Sequence, residues 1–211
     1  MYHGIVMNMK TDSTGMQVLV HLDDANAAIK RQQDIRMYPD DGRIISEQQR
    51  KKIYATINDI SDYTGYLPEE AKEKMKYYHI ERTGEEYFSL SDCSMETARQ
   101  FINTLIEFCL LYGVPVYEPM LSRTDDIDTY LYQCLKYRKC CICGKQGEIH
   151  HWDAVGMGND RRKYDDTNNR KMCLCRLHHT IAHQKGVIDF QRDYHVYGII
   201  YNEKQVNTNE L

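Results

Sequence analysis

The stretch CRLHHTIAH, residues 175–183, puts one Cys and three His into nine positions. Thiolate and neutral imidazole are ligands of zinc and other borderline cations, and a neutral imidazole can also take a proton near pH 7. These residue types on a helix fit a zinc knuckle, an active site or a His-rich buried face. The segment CCICGKQGEIHHWD, residues 140–153, decides among them. Cys140 and Cys143 form C-x-x-C followed by Gly144, the knuckle that wraps backbone around a tetrahedral metal. Cys175 and His178 supply C-x-x-H after 31 intervening residues. The two pairs fill four positions, so they predict a structural zinc site; a set of free, partly buried thiols is the plainer alternative. Cys141 and Cys173 compete for these roles and are read as packing residues.

Zinc leaves four His unused: His150, His151, His179 and His183. His179 and His183 are i, i+4 and share one face of a helix, whereas His178 is rotated about 100° from His179. His178 can therefore serve the zinc while its neighbour serves something else. Adjacent His150 and His151 on a strand point to opposite faces, so one can hold a metal while the other approaches a substrate. A core role is plausible for any one of these His but poor for all four, since His is only intermediate in burial frequency.

These positions need a scaffold. The chain has 211 residues, 42% apolar and 27% charged, enough for one large or two small globular domains. No run approaches eighteen apolar residues, so no membrane span is expected. The N-terminus MYHGIVMNMK lacks the apolar core of a signal peptide, which predicts a cytoplasmic chain with reduced Cys. Charge is split: residues 135–211 hold 13 Lys+Arg against 9 Asp+Glu, and the first 134 hold 14 against 22. Five of nine His and five of eight Cys lie between 140 and 183, so the basic part is also the chemical part.

Along the chain, GIVMNMK and GMQVLVHL, separated by TDST, predict a hairpin. ANAAIKRQQ predicts a short helix and MYPDDGR a turn. Ser46 with Gln49 has capping-box spacing; Ile53, Ile57 and Ile60 follow at helical spacing, and Gly65 ends the run. Pro68 opens a second helix, PEEAKEKMKYYHI, and GEEYFSLSD is a strand or loop. A third helix starts near Ser94, with Phe101, Leu105, Ile106, Cys109 and Tyr112 as its apolar stripe and Gly113 as its stop. VPVYEPMLSR marks a boundary, DDIDTYLYQCLKYR a connecting helix, and HVYGII a final strand.

The His-His strand, a loop bearing Asn168 and Asn169, and a helix with H-x-x-x-H resemble the HNH, or ββα-metal, nuclease motif over roughly residues 137–190. The bracketing C-x-x-C and C-x-x-H pairs match many HNH domains, and HTIAHQKG is similar to the metal-binding helix of colicin-type nucleases. The resemblance implies that His150, His179 and His183 hold a catalytic divalent metal. It makes His151 the general base that activates water. Asn169, or else Asn168, becomes the middle residue that orients the base. Many HNH enzymes carry Asp at the position of His150 and use Mg²⁺ readily. A three-His site with no obvious carboxylate favours Mn²⁺, Ni²⁺, Co²⁺ or Zn²⁺ instead. Asp153 could add a carboxylate or be a turn residue. Arg161, Arg162 and Lys163 form either a solvated loop or a DNA phosphate contact beside the site.

RIISEQQRKKIYATINDISDYTGYLPEEAKEKMKYYHI and the third helix, residues 43–116, resemble the Orf (NinB) recombination mediators of lambdoid phages. The whole chain is similar to phage HNHc nucleases that fuse such a module to an HNH domain. The resemblance implies homodimerisation, binding of single-stranded or branched DNA, contact with single-strand-binding protein and a bacterial cytoplasm. Arg43, Arg50, Lys51 and Lys52 are candidate phosphate contacts or an ordinary exposed face. The expected class is α+β: a mediator-like α+β domain over 1–120, a connecting helix over 121–136, and a small zinc-stabilised ββα-metal domain over 137–211. Such a chain would be a metal-dependent endonuclease. The alternatives are a non-catalytic zinc-containing DNA-binding mediator and a zinc finger; for the latter the spacing fails the C₂H₂ pattern and His179 and His183 would be idle.

Overall fold

The computed structural model describes residues 4–12, 15–22, 42–153 and 167–202. ANAAIKRQQ, most of MYPDDGR, and Arg161, Arg162 and Lys163 lie outside the described residues.

The N-terminal hairpin forms as the alternation predicts. Strand β1 (Gly4–Asp12) pairs antiparallel with β2 (Gly15–Leu22), with an irregularity between Val6 and Asn8. The strands extend into the expected TDST turn, so the connection is tighter than four residues.

Helix α1 (Glu47–Thr64) starts on the predicted capping box. Gln49 donates its backbone N–H to Ser46 Oγ at 3.1 Å, and Ser46 N–H donates back to Gln49 Oε1 at 3.0 Å. The same Gln49 gives its amide nitrogen to the Met95 carbonyl, tying the start of α1 to the start of α3. Ile53, Ile57 and Ile60 are fully buried, each contributing about 1.5–3 kcal/mol of apolar burial. Helix α2 (Pro68–Thr83) and helix α3 (Met95–Tyr112) complete a three-helix layer. The loop between them contains no strand; Phe88 and Leu90 plug it into the core instead. The α3 stripe is buried through Cys109, but Tyr112 is exposed. It occupies the last turn, where the helix runs past the core, and its ring lies on Phe108 with centroids 4.6 Å apart.

The expected connecting helix is two pieces, α4 (Met120–Arg123) and α5 (Ile127–Lys136). Arg123 is buried in an ion pair with Asp59 of α1. Asp126 caps α5 by accepting from the Thr129 N–H at 3.1 Å, and also receives Arg99 and Asn103 of α3. Helix α5 packs against α3 on one side and the C-terminal sheet on the other. Gln133 donates to the Asn103 carbonyl, and the buried Tyr130 hydroxyl donates to the Cys141 carbonyl. One hydrophobic cluster accordingly runs from Ile45 to Tyr201.

The C-terminal part is a small antiparallel sheet, order β3 (Glu148–His151), β4 (Arg170–Leu174), β5 (Ile199–Ile200). Helix α6 (Arg176–Lys185) leaves β4 directly. The strand expected over HVYGII shrinks to Ile199–Ile200, and DFQRDY falls in a helix, α7 (Val187–Tyr194), that the sequence reading missed. Phe190 anchors α7 in the core, and the backbone at His195 turns left-handed to end it. No helix among the described residues is long and apolar enough to cross a membrane.

Candidate metal centres

The knuckle forms because Gly144 takes φ +70°, a left-handed turn that L side chains resist. The turn lets Gly144 N–H reach the Cys140 carbonyl and Cys140 N–H reach the Lys145 carbonyl. Cys175 sits at the N-cap of α6, which puts His178 in the first turn and facing the knuckle. All four ligand atoms of Cys140, Cys143, Cys175 and His178 lie within 4.8 Å of one another. Cys143 Sγ is 3.7 Å from Cys175 Sγ, and His178 Nδ1 is 3.4 Å from Cys140 Sγ and 3.3 Å from Cys175 Sγ. With zinc bonds of about 2.3 Å to sulfur and about 2.0 Å to nitrogen, tetrahedral edges are about 3.8 Å and about 3.5 Å. The residues therefore fit a closed Cys₃His zinc site.

The electrostatics agree with that use. Burial opposes ionisation of Cys175, but donors from the His178 backbone and the neighbouring thiols hold its pKa below the ordinary value. Cys140 is pushed up to about 12 by burial, so a divalent cation is what would let the thiols ionise together. Cys141 and Cys173 are fully buried outside the cluster, as packing residues. Burial raises both thiols well above their usual range.

The second constellation is built by β3 and α6. Gly147, just before β3, lies against β4: a Cβ there would meet Cys173 Sγ at 2.8 Å and the Leu174 carbonyl at 3.0 Å. This close approach sets the register in which His150 pairs with Met172 and turns under the helix. The His150, His179 and His183 rings lie 4.7–4.8 Å apart, centroid to centroid, and their ligand atoms lie within 4.8 Å. His150 is buried, and neither of its ring nitrogens has a partner in the structure. Such an orphan is costly unless something occupies the space. Burial, followed by the other three His, lowers its pKa to about 4, so it offers a neutral lone pair across the physiological range. The donor set fits a borderline divalent cation.

No carboxylate joins the three His of the cluster, but one stands behind it. Glu148 Oε1 lies 2.7 Å from His179 Nδ1. Metal-bound His commonly gives its second nitrogen to a carboxylate, which fixes the ring and its tautomer. The overlooked signal was the alternation E-x-H in GEIHH, which puts Glu148 and His150 on one face of β3.

His151 lies on the other face of β3, exposed, with Lys171 as its cross-strand partner. Asn168 and Asn169 form the turn that enters β4. Asp153 is a clamp: it accepts from the Arg170 backbone at 2.9 Å and from its guanidinium at 2.6 Å, closing the end of the β3–β4 ladder. His179 and His183 of this triad line a cleft of about 610 Å³, together with Gln146, Gly147, Glu148, Arg176 and Thr180, and His150 lies buried behind them. A four-ligand cluster thus lies near a three-ligand cluster that borders the cleft, and both draw on α6.

The sequence model of one family, described as "Putative HNHc nuclease", matches residues 20–209. The chain belongs to that family. The match takes in α1–α3 as well as the zinc-knuckle sheet, so the HNHc family unit includes the helical layer. No curated protein and no solved structure matches the chain.

Proposed function

We propose that this HNHc family member is a metal-dependent endonuclease that hydrolyses phosphodiester bonds in DNA. The observation that carries the reading is the pairing of a four-ligand Cys₃His cluster with a three-ligand His₃ cluster on a shared helix. A binding module needs the first but not the second.

His150, His179 and His183 would hold the catalytic ion, with Mn²⁺, Ni²⁺, Co²⁺ or Zn²⁺ favoured over Mg²⁺ by the three nitrogens. When bound, the cation supplies charge stabilisation to the phosphoryl group and the leaving 3′ oxygen. Glu148 orients His179. His151, exposed at the end of β3, takes the proton from the attacking water at its ring nitrogen. Asn169, with Asn168 as the alternative, steadies the turn beside that base. Water oxygen bonds to phosphorus as the bond to the 3′ oxygen breaks, and solvent protonates the leaving alkoxide. Asp153, engaged by Arg170, stays out of the metal site. Arg161, Arg162 and Lys163 are proposed to contact DNA phosphates.

The resemblance to phage mediators adds finer proposals. The helical layer is a recombination-mediator module over residues 1–120, joined through 121–136 to the nuclease domain over 137–211. It forms a homodimer and contacts single-strand-binding protein in the cytoplasm of a bacterial host. The substrate is single-stranded or branched DNA in phage recombination or replication.

The test is cleavage of single-stranded, duplex and branched DNA by wild type and His151→Ala, with Mg²⁺, Mn²⁺, Ni²⁺ and Co²⁺. Loss of a general base costs about 10²–10⁴-fold, with metal content unchanged. DNA binding without cleavage under any metal would replace this reading with the non-catalytic mediator.

A further inference from the structure

The cleft beside the His₃ cluster has a second charged group that the metal does not use. Arg176 lines it and is exposed. Among the described residues its guanidinium has no ion pair or hydrogen bond; only its backbone carbonyl is engaged, accepting from the Thr180 hydroxyl within the helix. The other described arginines are engaged. Arg82, Arg99, Arg123, Arg170 and Arg192 pair with carboxylates. Arg50 donates to a carbonyl, and Arg43 and Arg138 also have interactions.

Helix geometry puts this free cation in a useful place. Residues 176, 179, 180 and 183 share a face of α6. At 1.5 Å per residue, Arg176 stands about 4.5 Å along the axis from His179 and about 10.5 Å from His183. The guanidinium is a planar fork that matches phosphate oxygens. The one acidic lining residue, Glu148, is taken by His179. A strand whose scissile phosphate sits at the His₃ cluster would carry its neighbouring phosphate past Arg176, with Thr180 and Gln146 offering polar side chains along the way.

We propose that Arg176 grips the phosphate adjacent to the scissile one and so sets the position of the nucleic-acid strand in the cleft. The inference rests on the nuclease reading of the His₃ cluster and makes Arg176 a positioning residue.

The experiment is fluorescence-anisotropy binding of labelled single-stranded and duplex DNA across a salt series, without added catalytic metal. It compares wild type, Arg176→Ala and Arg176→Lys, each checked for zinc content. Arg176→Ala is expected to raise Kd about 10-fold or more, from the loss of a charge-assisted contact. The slope of log K against log salt should fall in magnitude by about 0.7 on single strands and about 0.9 on duplex, the signature of one lost phosphate. Arg176→Lys should restore the slope and only part of the affinity. An unchanged Kd, weaker binding with an unchanged slope, or no DNA binding by wild type would each overturn the proposal. Adding Mn²⁺, Ni²⁺, Co²⁺ or Mg²⁺ separates the two readings. Slope loss without any cleavage would sink the nuclease and keep the contact; cleavage with no slope change would do the reverse.

Discussion

Glu148 offers a test that separates a metal-orienting carboxylate from an ordinary surface ion pair. Its side chain is 64% exposed, and its partner His179 is 23% exposed. As a surface pair the contact is screened and worth at most about 1 kcal/mol. Glu148→Ala should therefore move Tm of the metal-free protein by no more than about 2–4 °C. As an orienting partner, the same carboxylate holds the His179 ring and its tautomer, and losing such partners typically costs about 10–100-fold in metal affinity. That range is about 1.4–2.7 kcal/mol, larger than the surface pair can supply. Calorimetric titration of Co²⁺ or Mn²⁺ into zinc-loaded protein reads the difference. Glu148→Ala should weaken the second metal by that factor with zinc retained, and Glu148→Gln, which still offers an oxygen to Nδ1–H, should fall between. Equal metal affinity in wild type and Glu148→Ala would refute the reasoning. A large fall in Tm of the metal-free protein would show that the carboxylate is mainly structural.

Cys140→Ser removes a fully buried thiol of the candidate zinc cluster. Because structural zinc contributes about 10–16 kcal/mol to the folding of small zinc units, zinc content should drop and the β3–β4–α6 region should lose amide protection; retained zinc with native protection would disprove the assignment. Asp126 caps α5, and its carboxyl is held below its ordinary pKa: burial works against ionisation, but the Thr129 hydroxyl and N–H, Arg99 and Asn103 outweigh it. A depressed folded pKa means stability that is present above about pH 4 and lost as pH falls through the folded value. Asp126→Ala should cost about 0.5–2 kcal/mol at neutral pH and flatten the acid limb of a denaturation series, whereas Asp126→Asn should keep most of the cap.

Much of the candidate site was legible because ligand chemistry is tied to spacing. The C-x-x-C and C-x-x-H pairs and the H-x-x-x-H helix are short-range patterns, and short-range geometry follows from the helix and the knuckle turn. The caps at Ser46 and Ser94 were legible for the same reason. What escaped depends on packing between distant segments. Glu148 became part of the site only when β3 met α6, 31 residues further on. Arg176 stands out only once every other described arginine has found its partner. The core role of α5 could not be read from its amphipathic pattern, which shows that a face is buried but not that two separate layers bury it. DFQRDY is too short and mixed to declare a period in the sequence; the left-handed residue at His195 and the burial of Phe190 decide for helix.

Helix α6 assigns consecutive residues to different ligand clusters, His178 to the Cys₃His group and His179 to the His₃ group. A single residue inserted or deleted between Cys175 and His183 would turn everything beyond it by about 100° and slide it about 1.5 Å. One frame of the helix serves both clusters, so such a change could satisfy only one of them. This segment should therefore tolerate substitution at outward positions such as Leu177, which is exposed, and refuse any change of length. A library of single-residue insertions would show no accepted position between Cys175 and His183, with acceptance returning only beyond His183, toward the end of α6 at Gly186.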